Sequence, residues 1–103
     1  MNTEVNLDDS NGRAIWALGY LVSLSYVLPS ELTKKAETLI EKARPGLINI
    51  HSTRAMAFAL KGLCYYQATN KSFENLFLIE TFADRLVQMY KHESVENWKW
   101  FEG

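Results

Sequence analysis

The chain predicts an all-α fold: four main helices in two tandem antiparallel hairpins. Three observations carry this. Apolar residues recur at helical spacing through residues 11–92. Two stretches, Asp8–Tyr20 (DDSNGRAIWALGY) and His51–Leu63 (HSTRAMAFALKGL), follow one plan. Segments apolar on most sides alternate with segments apolar on one face, giving the order buried, amphipathic, buried, amphipathic.

Residues 1–9 read as a loose arm. Ser10 is placed to cap the first helix, with Asp8 and Asp9 against the positive end of its dipole. That helix is expected over Asn11–Val27. Ile15, Trp16, Leu18, Tyr20, Leu21, Val22, Leu24 and Tyr26 occupy all its sides, so it reads as an inner helix. Leu28-Pro29-Ser30 ends it, because the residue before a proline avoids the helical region, and Ser30 is placed to cap the next helix.

The second helix is expected over Glu31–Arg44. Leu32, Ala36, Leu39, Ile40 and Ala43 form a one-sided stripe, and Pro45-Gly46 reads as its stop. Leu47–Ile50 follow as a short apolar connector. Ser52 or Thr53 caps a third helix running to about Tyr66, again apolar on most sides, with Cys64 among its core residues. Thr69-Asn70-Lys71 is a turn. Ser72 caps a fourth helix, expected to reach about His92, with Phe73, Leu76, Ile79, Phe82, Ala83, Leu86, Val87 and Tyr90 on one face. The remainder, residues 94–103, lacks helical periodicity and reads as an extended aromatic tail, with Trp98 and Trp100 on one side.

Trp16-Ala17-Leu18 aligns with Phe58-Ala59-Leu60, 42 residues apart, so the hairpins read as repeats of one unit. Helical repeats bury a continuous core by stacking, and two leave apolar ends. The expectation is one domain over 1–103 that is a piece of a larger array or associates with itself, most simply as a homodimer. Tyr20, Leu24, Phe77 and Tyr90 are the residues expected on those ends.

Composition narrows the function. A chain of 103 residues, 48% hydrophobic and 22% charged, suits one globular domain. A formal charge of -1 without a basic block argues against nucleic acid and against an anionic membrane surface as partners. The first nine residues do not read as a signal peptide. One cysteine cannot form an internal disulfide, and the cytoplasm is the expected compartment. His51 and His92 stand far apart, outside any metal-ligand spacing. Gly12 is not part of a phosphate loop. No metal or cofactor is expected.

With antiparallel hairpins, three segments meet at one end: the stretch before the first helix, the loop before the third, and the tail. That rim collects Asp8, Asp9, Arg13, His51, Arg54, Trp98, Trp100 and Glu102. Carboxylates and arginines bind sugar hydroxyls, and flat rings accept the apolar face of a pyranose. Carbohydrate is therefore the expected ligand, and Arg13 or Arg54 is expected to bridge to Asp8, Asp9 or Glu102. Each residue also has a plainer reading: the acids as dipole partners, the tryptophans as plugs over core, the arginines as ties between loops. Asp8 or Asp9 with Glu102 is the one carboxylate pair that could serve glycoside hydrolysis. No catalytic residue is assigned.

The residues that carry these readings also carry a resemblance. Asp-Asp-x-x-Gly-Arg-Ala-Ile-Trp-Ala-Leu-Gly (8–19), Ser-Thr-Arg-Ala-x-Ala-Phe-Ala-Leu-x-Gly-Leu (52–63) and Trp-Lys-Trp-Phe-Glu (98–102) resemble, in the same order, a helical region of bacterial glycosyltransferases. The resemblance implies a segment of an (α/α) toroid, non-catalytic by itself, presenting a sugar-facing rim. No transferase domain or nucleotide-sugar site is recognised within residues 1–103, and the expectation is that this stretch covers only part of a toroid. Contacts with the rest of a toroid would then replace the homodimer. The competing expectations are a protein-interaction module of helical-repeat type and a part of a glycoside hydrolase-like toroid.

Overall fold

The computed structural model describes the backbone of residues 3–102 and the side chains of residues 7–91. Four helices account for nearly all of it: α1 (Thr3–Ser23), α2 (Ser30–Leu47), α3 (Thr53–Thr69) and α4 (Phe73–Glu102). No strand occurs among the described residues. The all-α reading holds, with several boundaries moved.

α1 begins at Thr3, so the expected arm is helical from there and Ser10 lies inside the helix. The physical reason is that the acids of this segment work elsewhere. Asp8 Oδ2 accepts from the backbone N–H of His51, 2.9 Å, and of Ser52, 3.4 Å. Asp8 thus caps the start of α3 and not the start of its own helix, using the same affinity of a carboxylate for free N–H groups. The helix ends in a turn over 24–27, where Ser23 Oγ donates back to Tyr20 O at 2.6 Å.

α2 starts at Ser30 with Pro29 at the N-cap position and no side-chain cap, so the capping expected of Ser30 is absent. Pro29 O instead accepts from the N–H groups of Leu32 and Thr33 and from Thr33 Oγ1. Pro45 and Gly46 do not stop this helix, which runs on to Leu47. Pro45 removes one donor, which usually breaks a helix. Here the extra turn places Leu47 in the core, and Ile50 follows it, both buried.

The expected cap at Ser52 is present: its Oγ accepts from Ala55 N at 3.2 Å. Ser72 does the same for α4, accepting from Asn75 N at 3.1 Å. α4 is longer than expected. The tail over 94–102, expected as extended, is the continuation of this helix. Without a proline or glycine between Phe73 and Glu102, nothing in the backbone ends it earlier.

α1 and α3 pair along their lengths and run parallel. Asp8 meets His51, Gly12 meets Ala55, Trp16 meets Phe58 and Tyr20 meets Tyr65. α2 packs on α1 and α4 on α3, each running back the other way. The main core lies between these layers. Ile15 of α1, Leu47 of α2, Met56 and Leu63 of α3 and Phe82 of α4 are among its large buried side chains. Val22, Ala36, Ile40 and Tyr66 make a second cluster toward the Leu28-Pro29 end.

The α1/α3 pair is closer than side chains normally permit. A Cβ added at Gly12 would lie 2.6 Å from Ala55 O, and one at Gly62 would lie 2.7 Å from Trp16 Cα. These glycines bring backbone against backbone. Enclosure on every side, expected for these two helices, does not occur. Trp16, Tyr20, Leu21 and Tyr65 are exposed on the side turned from α2 and α4, and Cys64 is exposed as well. The reason is that α2 and α4 cover one side of the pair only.

Candidate functional site

The rim expected from the sequence is present in part. Asp8, Asp9, His51 and Arg54 come together where α1 passes the start of α3. Asp8 holds the backbone of His51 and Ser52. Asp9 Oδ1 accepts from Ser52 Oγ at 3.0 Å, and Asp9 Oδ2 lies 3.6 Å from Arg54 Nη1. Ser52 therefore accepts from Ala55 N and donates to Asp9, which fixes its hydroxyl. Both carboxylates are engaged within the chain, Asp8 by the backbone N–H groups leading into α3 and Asp9 by the Ser52 hydroxyl and Arg54.

His51 enters this arrangement through its main chain; its side chain is exposed. Arg13 does not join the acids. Its guanidinium sits over the Phe58 ring, 5.9 Å from the centroid. Trp98, Trp100 and Glu102 stand on the last turns of α4, and their side chains lie outside the described residues. One cleft of 260 Å³ opens beside the rim, lined by Asp8, Asn11 and Asn49 with the apolar wall of Ile15, Leu18 and Leu47. Among the described residues no cluster of three or more His, Cys, Asp and Glu could hold a metal ion.

A second surface was not legible as a site. On the outer side of α1 and α3, Trp16 stacks on Phe58 with centroids 5.4 Å apart, and Tyr20 meets Tyr65 edge-on at 5.4 Å. Lys61 Nζ lies 5.1 Å from the Trp16 ring. Trp16 is 37% exposed, Tyr20 48% and Tyr65 38%. The signal for this ladder was the 42-residue alignment of Trp16 with Phe58, which marks equivalent positions on two parallel helices.

A third feature joins the outer helices. Asn75 is wholly buried. Its Oδ1 accepts from Arg44 Nη1 at 2.8 Å and its Nδ2 donates to Asn70 O at 3.1 Å. Arg44 also donates to both oxygens of Glu41, and Glu41 Oε2 accepts from Tyr66 Oη as well. Asn70 Nδ2 donates to Glu37 at 2.9 Å. Burial, and then the hydrogen bond to Glu41, push the Tyr66 phenol up to about 12. Beside this network, Arg44, Pro45, Ile48, Phe73, Phe77 and Leu78 line an apolar groove of 520 Å³. Phe73 is 88% exposed and Phe77 62%. Phe77, Tyr20 and Tyr90, expected on apolar end faces, are all exposed, whereas Leu24 is half-buried.

Among the described residues no helix is long and apolar enough to cross a membrane. No protein-family model matches the chain, and no curated protein or solved structure matches it.

Proposed function

We propose that this chain is a non-catalytic helical-repeat module that works by docking to protein. One observation carries the reading. The polar rim is engaged internally, with Asp8 and Asp9 committed to α3 and Arg54, while large apolar side chains stand exposed along α1, α3 and α4. An exposed apolar surface of this extent is the usual mark of an interaction site. The toroid reading fits within this proposal, since further hairpins would cover the same surfaces.

A second reading keeps the resemblance to glycosyltransferase helical regions. It is favoured by the exposed rings of Trp16, Tyr20 and Tyr65, which offer stacking surface to a pyranose. Titration of isotope-labelled chain with oligosaccharides and with a nucleotide sugar separates the two. The module reading expects no amide shifts around Trp16 and Tyr20. Saturable shifts there would replace it with the carbohydrate reading.

A further inference from the structure

The ladder on α1 and α3 has a charge to match its rings. From Ser10 to Leu28 and from Thr53 to Thr69 the chain contains Arg13, Arg54 and Lys61 and no aspartate or glutamate. Arg54 is paired with Asp9, but Arg13 and Lys61 lie over Phe58 and Trp16. The outer face is therefore aromatic, exposed and cationic. Its partner should be acidic and aromatic in turn.

The chain carries such a segment. Residues 92–102, HESVENWKWFE, hold Glu93, Glu96 and Glu102 against Lys99, with Trp98, Trp100 and Phe101. The segment is the end of α4, and Glu93, Glu96 and Trp100 fall at i, i+3 and i+7 on one helical face. It cannot reach the ladder of its own copy. Thr53 Oγ1 meets Met89 Sδ, so α4 passes the start of α3 near Met89 and then continues along its axis, in the layer opposite the ladder. A second copy has no such restriction.

We propose that two copies of this chain pair reciprocally, the acidic aromatic end of each α4 docking on the Trp16–Phe58 and Tyr20–Tyr65 ladder of the other. The proposal rests on the module reading above and names its occupant. Exchange of equivalent elements about a twofold axis satisfies both ladders at once.

The test is charge exchange in the full chain, read by analytical ultracentrifugation at micromolar concentrations. One variant carries Arg13→Glu with Lys61→Glu; the other carries Glu93→Lys with Glu96→Lys. Circular dichroism confirms that each is folded. Wild type is expected to dimerise, and each variant alone to dimerise about tenfold or more weakly. An equimolar mixture should recover the dimer, because each reversed face then meets a complementary end. A wild type that stays monomeric overturns the proposal, as does a mixture that recovers nothing. A dimer insensitive to both reversals also overturns it while leaving the module reading in place. Saturable sugar binding at the ladder would instead remove the module reading itself.

Discussion

Gly19 faces Gly62 across the α1/α3 crossing so closely that a Cβ at Gly19 would lie 2.8 Å from Gly62 Cα. Two glycines thus set the distance between the two central helices. The contacting atoms are backbone, which cannot rotate away as a side chain would.

Gly62→Ala is expected to lower stability by about 3 kcal/mol or more, because the added methyl forces α1 and α3 apart. Gly46→Ala is the contrast. Nothing lies within 4 Å of a Cβ there, and no described glycine has positive φ. That substitution should stabilise α2 by about 0.5–1 kcal/mol. Urea unfolding of both variants checks the pair.

Asp8→Ala removes the acceptor shared by His51 N and Ser52 N. The expected loss is about 1–2 kcal/mol, comparable with loss of a helix cap. Ser52→Ala should cost about 1 kcal/mol. The double variant should lose less than the sum, since Asp8 accepts from the backbone N–H of Ser52 and both residues hold the same helix start. A double-mutant cycle by chemical denaturation measures this.

Asn75→Ala removes the acceptor that ties Arg44 of α2 to α4, leaving Arg44 only its carboxylate partners, and takes the side-chain donor from the carbonyl of Asn70. The expected cost is about 2–3 kcal/mol. Hydrogen exchange should show the loss concentrated at the α2–α4 contact, with faster exchange in the first turns of α4.

The Tyr66 phenol titrates higher folded than unfolded, about 12 against 10. Below pH 10 both states keep the proton, and its contribution to stability is fully present. Between pH 10 and about 12 the unfolded state releases the proton first, so stability falls as pH rises. Tyr66→Phe should remove this part of the alkaline loss. Urea midpoints of both chains across that range provide the comparison, and ultraviolet titration of the folded chain should lose a late-ionising phenol in the Tyr66→Phe variant.

The parts of this fold legible in the sequence are those set by local chemistry. Ser52 and Ser72 announce their helices because a hydroxyl three residues before a free N–H needs no distant partner. The internal repeat set Trp16 and Phe58 at equivalent positions, and the structure stacks their rings. What was hidden depends on distant partners. Asp8 and Asp9 look like caps for the helix that follows them, yet their donors lie more than 40 residues away. Pro45 looks like a stop, but burial of Leu47 outweighs the missing hydrogen bond. Of the proposed rim, Asp8, Asp9, His51 and Arg54 were placed by topology, whereas Arg13 turned to Phe58, which residue type alone does not dictate.

The parallel course of α1 and α3 has a kinetic meaning. Their contacts join residues about 43 apart, from Asp8 with His51 to Gly19 with Gly62. The intervening α2 must therefore turn back before the tightest interface can close, a loop-closure cost paid early in folding. Neither hairpin alone contains that interface. The two halves should accordingly melt in one transition, and a chain cut between Asn49 and His51 should regain helix only when both pieces are mixed.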